Sequence, residues 1–220
     1  MTTSLTTARA LLPAISQILP GIFIGDGLCT RDSSIYTNPD TAITAVISIT
    51  VHEDALWENA RKFTNYIPNS NHMHIKAADS ETQDLLLYFD QICDFMDKML
   101  DYNLQDPTKE PLSMLKKPAV LVHCEKGVSR SASAVIAYVM RNTKKGVDEV
   151  LAEVQRHRRV RPSPNFMEQL KVWEETGYDI WLDSRNKLPK KEYQVFLNRR
   201  LERLRAKGKT SDEPVGLQNL

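Results

Sequence analysis

Ala119-Val120-Leu121-Val122-His123-Cys124-Glu125-Lys126-Gly127-Val128-Ser129-Arg130-Ser131 passes from an apolar run, through a glycine-bearing turn, into the apolar text of a helix. Ala119 to His123 reads as a central strand, because a strand covered on both faces is apolar along its length instead of alternating. Ser131 to Arg141 reads as the helix that follows, mostly apolar and therefore interior. A tight connection between the two turns consecutive backbone N–H groups inward at the positive end of the helix, which cradles an anion. Gly127 permits the backbone conformation such a turn demands. Arg130 offers a planar fork that matches two oxygens of a phosphoryl group. Cys124 lies at the floor of this bowl. Helix N-termini and neighbouring cations depress a thiol pKa from about 8.5 into roughly the 3.5–7.5 range, so Cys124 is expected to be a thiolate near neutral pH. A thiolate there is a nucleophile toward phosphorus. The alternative, a small buried hydrophobe at a strand end, leaves the glycine, the arginine and the strand–loop–helix order unexplained.

Strands and helices alternate on either side of this segment. Ile22-Phe23-Ile24 before Gly25 is an early strand, Ala42 to Ile49 a buried strand rich in β-branched residues, and His72 to Ala77 a third. From Gln83 to Tyr102 the period changes: Leu85, Phe89, Ile92, Met96 and Met99 recur every three or four residues, the mark of an amphipathic helix. Asn103 to Lys117 holds two prolines and no period, and reads as an irregular surface connection. Val147 to His157 and Phe166 to Glu175 are two further helices. Interleaved strands and helices predict an α/β layer fold.

The 220 residues are about one domain's worth and enough to bury a sizeable core. With 29 basic and 28 acidic side chains the net charge is +1, so no bulk attraction to nucleic acid or membrane is implied. The longest apolar run, Ala134 to Met140, is seven residues, far short of a membrane span. Three scattered cysteines (Cys29, Cys93 and Cys124) fit neither a disulfide scaffold nor a zinc finger, and point to a reducing compartment, cytoplasmic or nuclear. Residues 1–14 carry only Arg9 as a basic residue, too little for a targeting peptide, and are expected to be a flexible terminus. Residues 185–209 hold ten Lys or Arg against Glu192 and Glu202. Pro189 can open a helix there, placing Tyr193, Phe196, Leu197, Arg200 and Leu204 on one face. Two readings of this extension, 183–220, stay open: the stripe packs back onto the domain, or the segment binds an anion or a partner.

The segment HCEKGVSRS resembles the active-site loop of the cysteine-dependent protein phosphatases, particularly the small dual-specificity phosphatases. The likeness runs from Ile18-Leu19-Pro20-Gly21-Ile22-Phe23-Ile24-Gly25 through Ile43-Thr44-Ala45-Val46-Ile47 to Arg161-Pro162-Ser163-Pro164-Asn165-Phe166. It implies a catalytic domain over 15–182 with a central, mainly parallel sheet flanked by helices, the protein tyrosine phosphatase-like fold. With no second, docking domain before it in the sequence, the expectation is an atypical, single-domain member.

The resemblance also implies roles. Glu125 to Arg130 would bind the phosphate. Ser131 would donate a hydrogen bond to the Cys124 sulfur, unless it only caps the helix. Members place a proton-donating aspartate on a loop upstream of the cysteine. Asp79, at the end of His74-Ile75-Lys76-Ala77-Ala78-Asp79, matches that place, with Asp84 as competitor and helix N-capping as its bland alternative. The 45 residues between Asp79 and Cys124 make the irregular connection an insertion. His123 is expected to brace the loop by hydrogen bonding, and Asn165 to support the loop or a water. No metal and no cofactor are required, since Arg130 and the loop amides supply the positive charge.

Phosphorylated proteins are the expected substrates. Glu125 and Lys126 cancel within the loop, whereas phosphoinositide-directed members carry two lysines there. Ser131-Ala132 stands where the RNA 5′-triphosphatase relatives favour Thr-Gly. The basic stretch Arg156-His157-Arg158-Arg159-Val160-Arg161 would dock acidic substrate segments, or would be a solvated helix end. The rival of another class is a non-catalytic phosphate-binding scaffold, which the presence of Cys124, Arg130 and Asp79 together disfavours.

Overall fold

The computed structural model describes residues 14–52, 67–101 and 118–210. The expected flexible terminus (Ala14 apart), the connection 103–117 and the last ten positions lie outside the described residues. Two antiparallel strands, β1 (Ile15–Leu19) and β2 (Ile22–Gly25), open the fold, followed by a single-turn helix α1 (Ser34–Thr37). Next come β3 (Ala45–Thr50), β4 (His72–Lys76), α2 (Phe89–Asp101), β5 (Val120–His123), α3 (Arg130–Thr143), α4 (Val147–Gln155) and α5 (Pro164–Glu175). A hairpin of β6 (Trp181–Asp183) and β7 (Leu188–Pro189) then leads into α6 (Lys191–Ala206).

The sheet order is β1-β2-β5-β3-β4, with every pair except β1/β2 parallel. Strand periodicity explains its two cores. Ile22 and Ile24, Ala45, Ile47 and Ile49, and Val120 and Val122 face α2, α3 and α5, while Phe23, Val46 and Leu121 face the smaller cluster around Tyr36. Central β5 is apolar up to His123 because both of its faces are covered. Helix α3 is buried from Arg130 to Met140 and ends at Lys144, whose left-handed backbone turns its N–H onto the Met140 carbonyl.

Several expectations are corrected. Strand β1 escaped notice, since Ile-Ser-Gln-Ile-Leu lacks a clean alternation. The helix read from Gln83 begins as a 3₁₀ turn at Leu86 and becomes α-helical at Phe89, because Gln83 turns back onto the preceding loop and Asp84 accepts from the turn that follows. Gln83 Oε1 accepts from the Ala78 N–H and Asp84 Oδ1 from the Leu87 N–H. The boundary at 182/183 cuts through the β6–β7 hairpin, and of the two readings of the extension the packed one holds, since Tyr193 and Phe196 of α6 belong to the main core.

Candidate active site

The apolar run of β5 delivers His123 and Cys124 to the carboxyl end of the central strand, and α3 begins at Arg130, so residues 124–129 form the turn at its N-terminus. Gly127 has φ +62°, and a Cβ there would sit 2.5 Å from the Gly25 carbonyl oxygen. Only glycine tolerates both the angle and the approach. The back of the loop is tied to its surroundings. Arg158 Nε donates to the Gly127 carbonyl at 2.8 Å and Nη1 to Ser16 Oγ at 3.1 Å, while the Arg161 N–H donates to the Val128 carbonyl at 2.9 Å. The Gly27 N–H donates to the Glu125 carbonyl at 3.0 Å.

Cys124 is 2% exposed, and its Sγ lies 3.2 Å from Ser131 Oγ. Burial opposes ionisation of this thiol, but the Ser131 hydroxyl and N–H, the Arg130 charge and the Val128 N–H outweigh it, and its pKa falls below the ordinary thiol value. Arg130, 5% exposed, donates from Nη1 to the Ala77 carbonyl at 3.1 Å and pairs through Nη2 with Glu125 Oε2 at 3.3 Å. Its Nε is buried with no hydrogen-bond partner among the described residues, which leaves a donor for an anion. Glu125 thus pairs within the loop with Arg130.

Asp79 comes to the same cleft of about 1120 Å³ as Cys124. Its Oδ1 accepts from Ser129 Oγ at 3.0 Å, and Ser129 Oγ accepts in turn from the Ser163 N–H at 3.1 Å. The competitor Asp84 is buried elsewhere: Tyr193 Oη donates to its Oδ2 at 2.7 Å, and burial pushes its carboxyl up despite that bond. Asn165 serves the loop carrying Asp79 instead of the phosphate loop, its Nδ2 donating to the Ser80 and Gln83 carbonyls at 2.8 Å. His123 braces a strand and not the loop. Its Nε2 lies 2.7 Å from Ser48 Oγ, which also lies 2.9 Å from His72 Nε2. One hydroxyl proton cannot serve both rings, so at least one imidazole donates to Ser48. Burial, reinforced by His72, His74 and Arg130, holds His123 down at about 3, so it stays neutral.

Sequence reasoning missed Ser48, Arg158 and Ser163. Each acts from a distant element, and only the basic run around Arg158 hinted at a role. That run divides by burial: Arg158 is 3% exposed, while Arg159 and Arg161 line the cleft. The charged side chains of the cleft wall are mixed, with Lys126, Arg130, Arg159 and Arg161 against Asp26, Asp79 and Glu125. Among the described residues no cluster of His, Cys, Asp or Glu is placed to hold a metal ion, and no helix is long and apolar enough to cross a membrane.

Comparison with known proteins gives one family. The model of the dual specificity phosphatase catalytic domain matches residues 32–176. The tyrosine-protein phosphatase yvh1 of Schizosaccharomyces pombe is 30% identical over 115 residues, 52% of this chain and 31% of that protein. The chain therefore aligns with only about a third of the yvh1 sequence. Human dual specificity protein phosphatase 13B is 28% identical over 163 residues, 74% of each chain. The solved structure of DUSP15 superposes with a TM-score of 0.57 at 25% identity, covering 84% of this chain and 96% of that one. The matched span runs from before α1 to the end of α5 and contains both Asp79 and the loop of Cys124. By that match the chain belongs to the dual specificity phosphatase catalytic-domain family.

Proposed function

We propose that this chain hydrolyses phosphotyrosine and phosphoserine/threonine in proteins through a phosphocysteine intermediate. The observation that carries the reading is a buried thiol whose pKa is lowered at the N-terminus of α3, in one cleft with a carboxylate. The Cys124 thiolate attacks phosphorus in line. As the S–P bond forms and the P–O bond breaks, Asp79 gives its proton to the departing oxygen. The loop N–H groups of Glu125 to Arg130 and the Arg130 fork neutralise the equatorial oxygens. Asp79, now a carboxylate, takes a proton from water, whose oxygen attacks phosphorus. Inorganic phosphate leaves, and the sulfur departs as a thiolate stabilised by the Ser131 hydroxyl.

A mixed cleft wall supports a protein substrate over a polyanionic headgroup or an RNA 5′ end, since the carboxylates of Asp26 and Glu125 repel clustered phosphates. Arg159 and Arg161 would meet acidic side chains flanking the phosphorylated residue. A reducing compartment, cytoplasmic or nuclear, would keep the nucleophile a free thiol.

Phosphopeptide turnover tests the reading. Cys124→Ser is expected to abolish turnover while phosphate binding persists. Asp79→Ala is expected to slow hydrolysis of esters with basic leaving groups by about 10²–10⁴-fold, and that of activated esters far less. Turnover by Cys124→Ser at the unaltered rate, or hydrolysis of phosphoinositides with none of phosphopeptides, overturns it.

A further inference from the structure

The loop from Asp79 to Asp84 has no regular structure of its own, yet four consecutive carbonyls in it are each claimed by a side chain from a helix. Asn165 Nδ2 donates to Ser80 O and Gln83 O at 2.8 Å, and Gln169 Nε2 donates to Gln83 O at 2.7 Å; both side chains belong to α5. From α6, Arg203 Nη1 donates to Glu81 O at 3.3 Å and Arg200 Nε to Thr82 O at 2.6 Å. From the first turn of α6 to just past its end, further contacts close the gaps. Tyr193 Oη donates to Asp84 Oδ2 at 2.7 Å, Lys207 Nζ pairs with Glu81 Oε1 at 3.3 Å, and Arg203 reaches Asn165 Oδ1 at 3.3 Å. The far end of the loop, Asp79, is bonded to Ser129 of the phosphate loop. Thr82 and Gln83 are buried while Glu81 is exposed, yet all four carbonyls are met by side chains and not by neighbouring backbone, which marks a segment whose position is imposed from outside.

We propose that α6, which lies beyond the span the family model matches, clamps this loop, and that Tyr193, Arg200 and Arg203 are positioning residues that hold Asp79 over the phosphate site. The inference rests on Asp79 being the proton donor. It also assigns work to the basic extension: Arg200, Arg203 and Lys207 meet carbonyls of the loop and the carboxylates of Glu81 and Glu168, so they answer a demand within this molecule. An acid held within hydrogen-bond reach of the leaving oxygen acts only while its loop keeps register, and a misplacement of about 1 Å can cost on the order of 10²-fold in rate. The protonation step is the part of the reaction that loosening α6 should damage. Thiolate attack, which depends on the phosphate loop and α3, should be spared.

The test uses the full chain with phenyl phosphate, whose leaving group needs a proton, and dinitrophenyl phosphate, whose leaving group does not. Arg200→Met keeps the stem and removes the donor to Thr82; it is expected to lower kcat on phenyl phosphate about ten-fold or more, with a far smaller loss on the dinitrophenyl ester and little change in KM. Tyr193→Phe, which removes a single oxygen, is expected to act in the same direction and serves where Arg200→Met does not fold. Placed on Asp79→Ala, either change should add little, because the group it positions is gone. Equal losses on both esters, or full additivity with Asp79→Ala, would show a merely structural helix and overturn the clamp. If Asp79→Ala itself shows no leaving-group dependence, the assignment of the acid fails, and the clamp with it. If Asp79→Ala shows that dependence and the α6 variants do not, the clamp alone fails.

Discussion

The molecule contains three buried thiols and treats them in opposite ways. Cys29 and Cys93 are held protonated: burial raises both, Cys93 to about 12 and Cys29 further. Cys124 is as deeply buried but lowered, and what differs is the donor set, a hydroxyl, two N–H groups and a guanidinium. These groups all lie within seven residues of the sulfur, so this part of the site was legible in the sequence. The partner of His123 was not, because Ser48 is brought to it by the neighbouring strand β3. Iodoacetamide near pH 7 is therefore expected to label Cys124 first, with Cys29 and Cys93 protected, as peptide mapping will show. The labelling rate should fall as pH drops through the lowered thiol pKa, since protonation removes the nucleophile. Ser131→Ala removes a donor to the thiolate, so the inflection should move to higher pH. An inflection that stays in place would mean that the 3.2 Å contact does not stabilise the anion.

At the level of elements, apolar runs announced the strands and periodicity announced the helices, but their starts were less readable. Gln83 and Asp84 carry helix-compatible side chains, and only the fold shows that Gln83 ties the preceding loop and that Asp84 is bonded by Tyr193. The strand–loop–helix unit is fixed by steric fit at its turn. Gly127→Ala puts a side chain at φ +62°, with the Gly25 oxygen at 2.5 Å and Arg158 Nη2 at 2.6 Å. The left-handed backbone alone costs roughly 1–2 kcal/mol, so the urea midpoint should fall and kcat with it. An alanine variant of unchanged stability would mean that the turn relaxes freely. The sheet beneath the turn carries a pH dependence through His123. Its folded pKa, about 3, lies below the ordinary histidine value of 6.5, so the unfolded chain binds a proton that the native state excludes. The contribution is complete above about pH 6.5 and is lost as pH falls toward 3, at up to about 1.4 kcal/mol per pH unit. Urea midpoints should drop between pH 7 and pH 5, and drop less in His123→Gln. Equal drops in the two proteins would place the proton uptake on other groups.

For the molecule as a whole, the order of strands and helices was enough to read a layered α/β fold, while the reach of its core was not. The stripe Tyr193, Phe196 and Leu204 declares that α6 must cover something, yet periodicity cannot name the surface covered. The local excess of positive charge kept a second reading open, that of an anion- or partner-binding appendage. In the fold, Tyr193 meets Trp181 edge-on at 5.7 Å and stacks on Phe196 at 6.2 Å, inside the core that holds Phe89 and Trp173. The span matched by the family model ends at 176, but the hydrophobic unit does not. This packing is separate from the polar clamp: the stripe attaches the helix, and Arg200 and Arg203 use the attachment. Phe196→Ala should therefore cost about 3–5 kcal/mol, the range for a buried aromatic. At about 2–4 °C per kcal/mol for a chain of this size, that lowers Tm by on the order of 10 °C. Thermal unfolding followed by circular dichroism checks it, with one transition expected, since α6 shares its core with the sheet. A second, lower transition confined to the helical signal would instead mean that the extension folds on its own, and that catalysis on phenyl phosphate should fail at that lower temperature while the catalytic core remains folded.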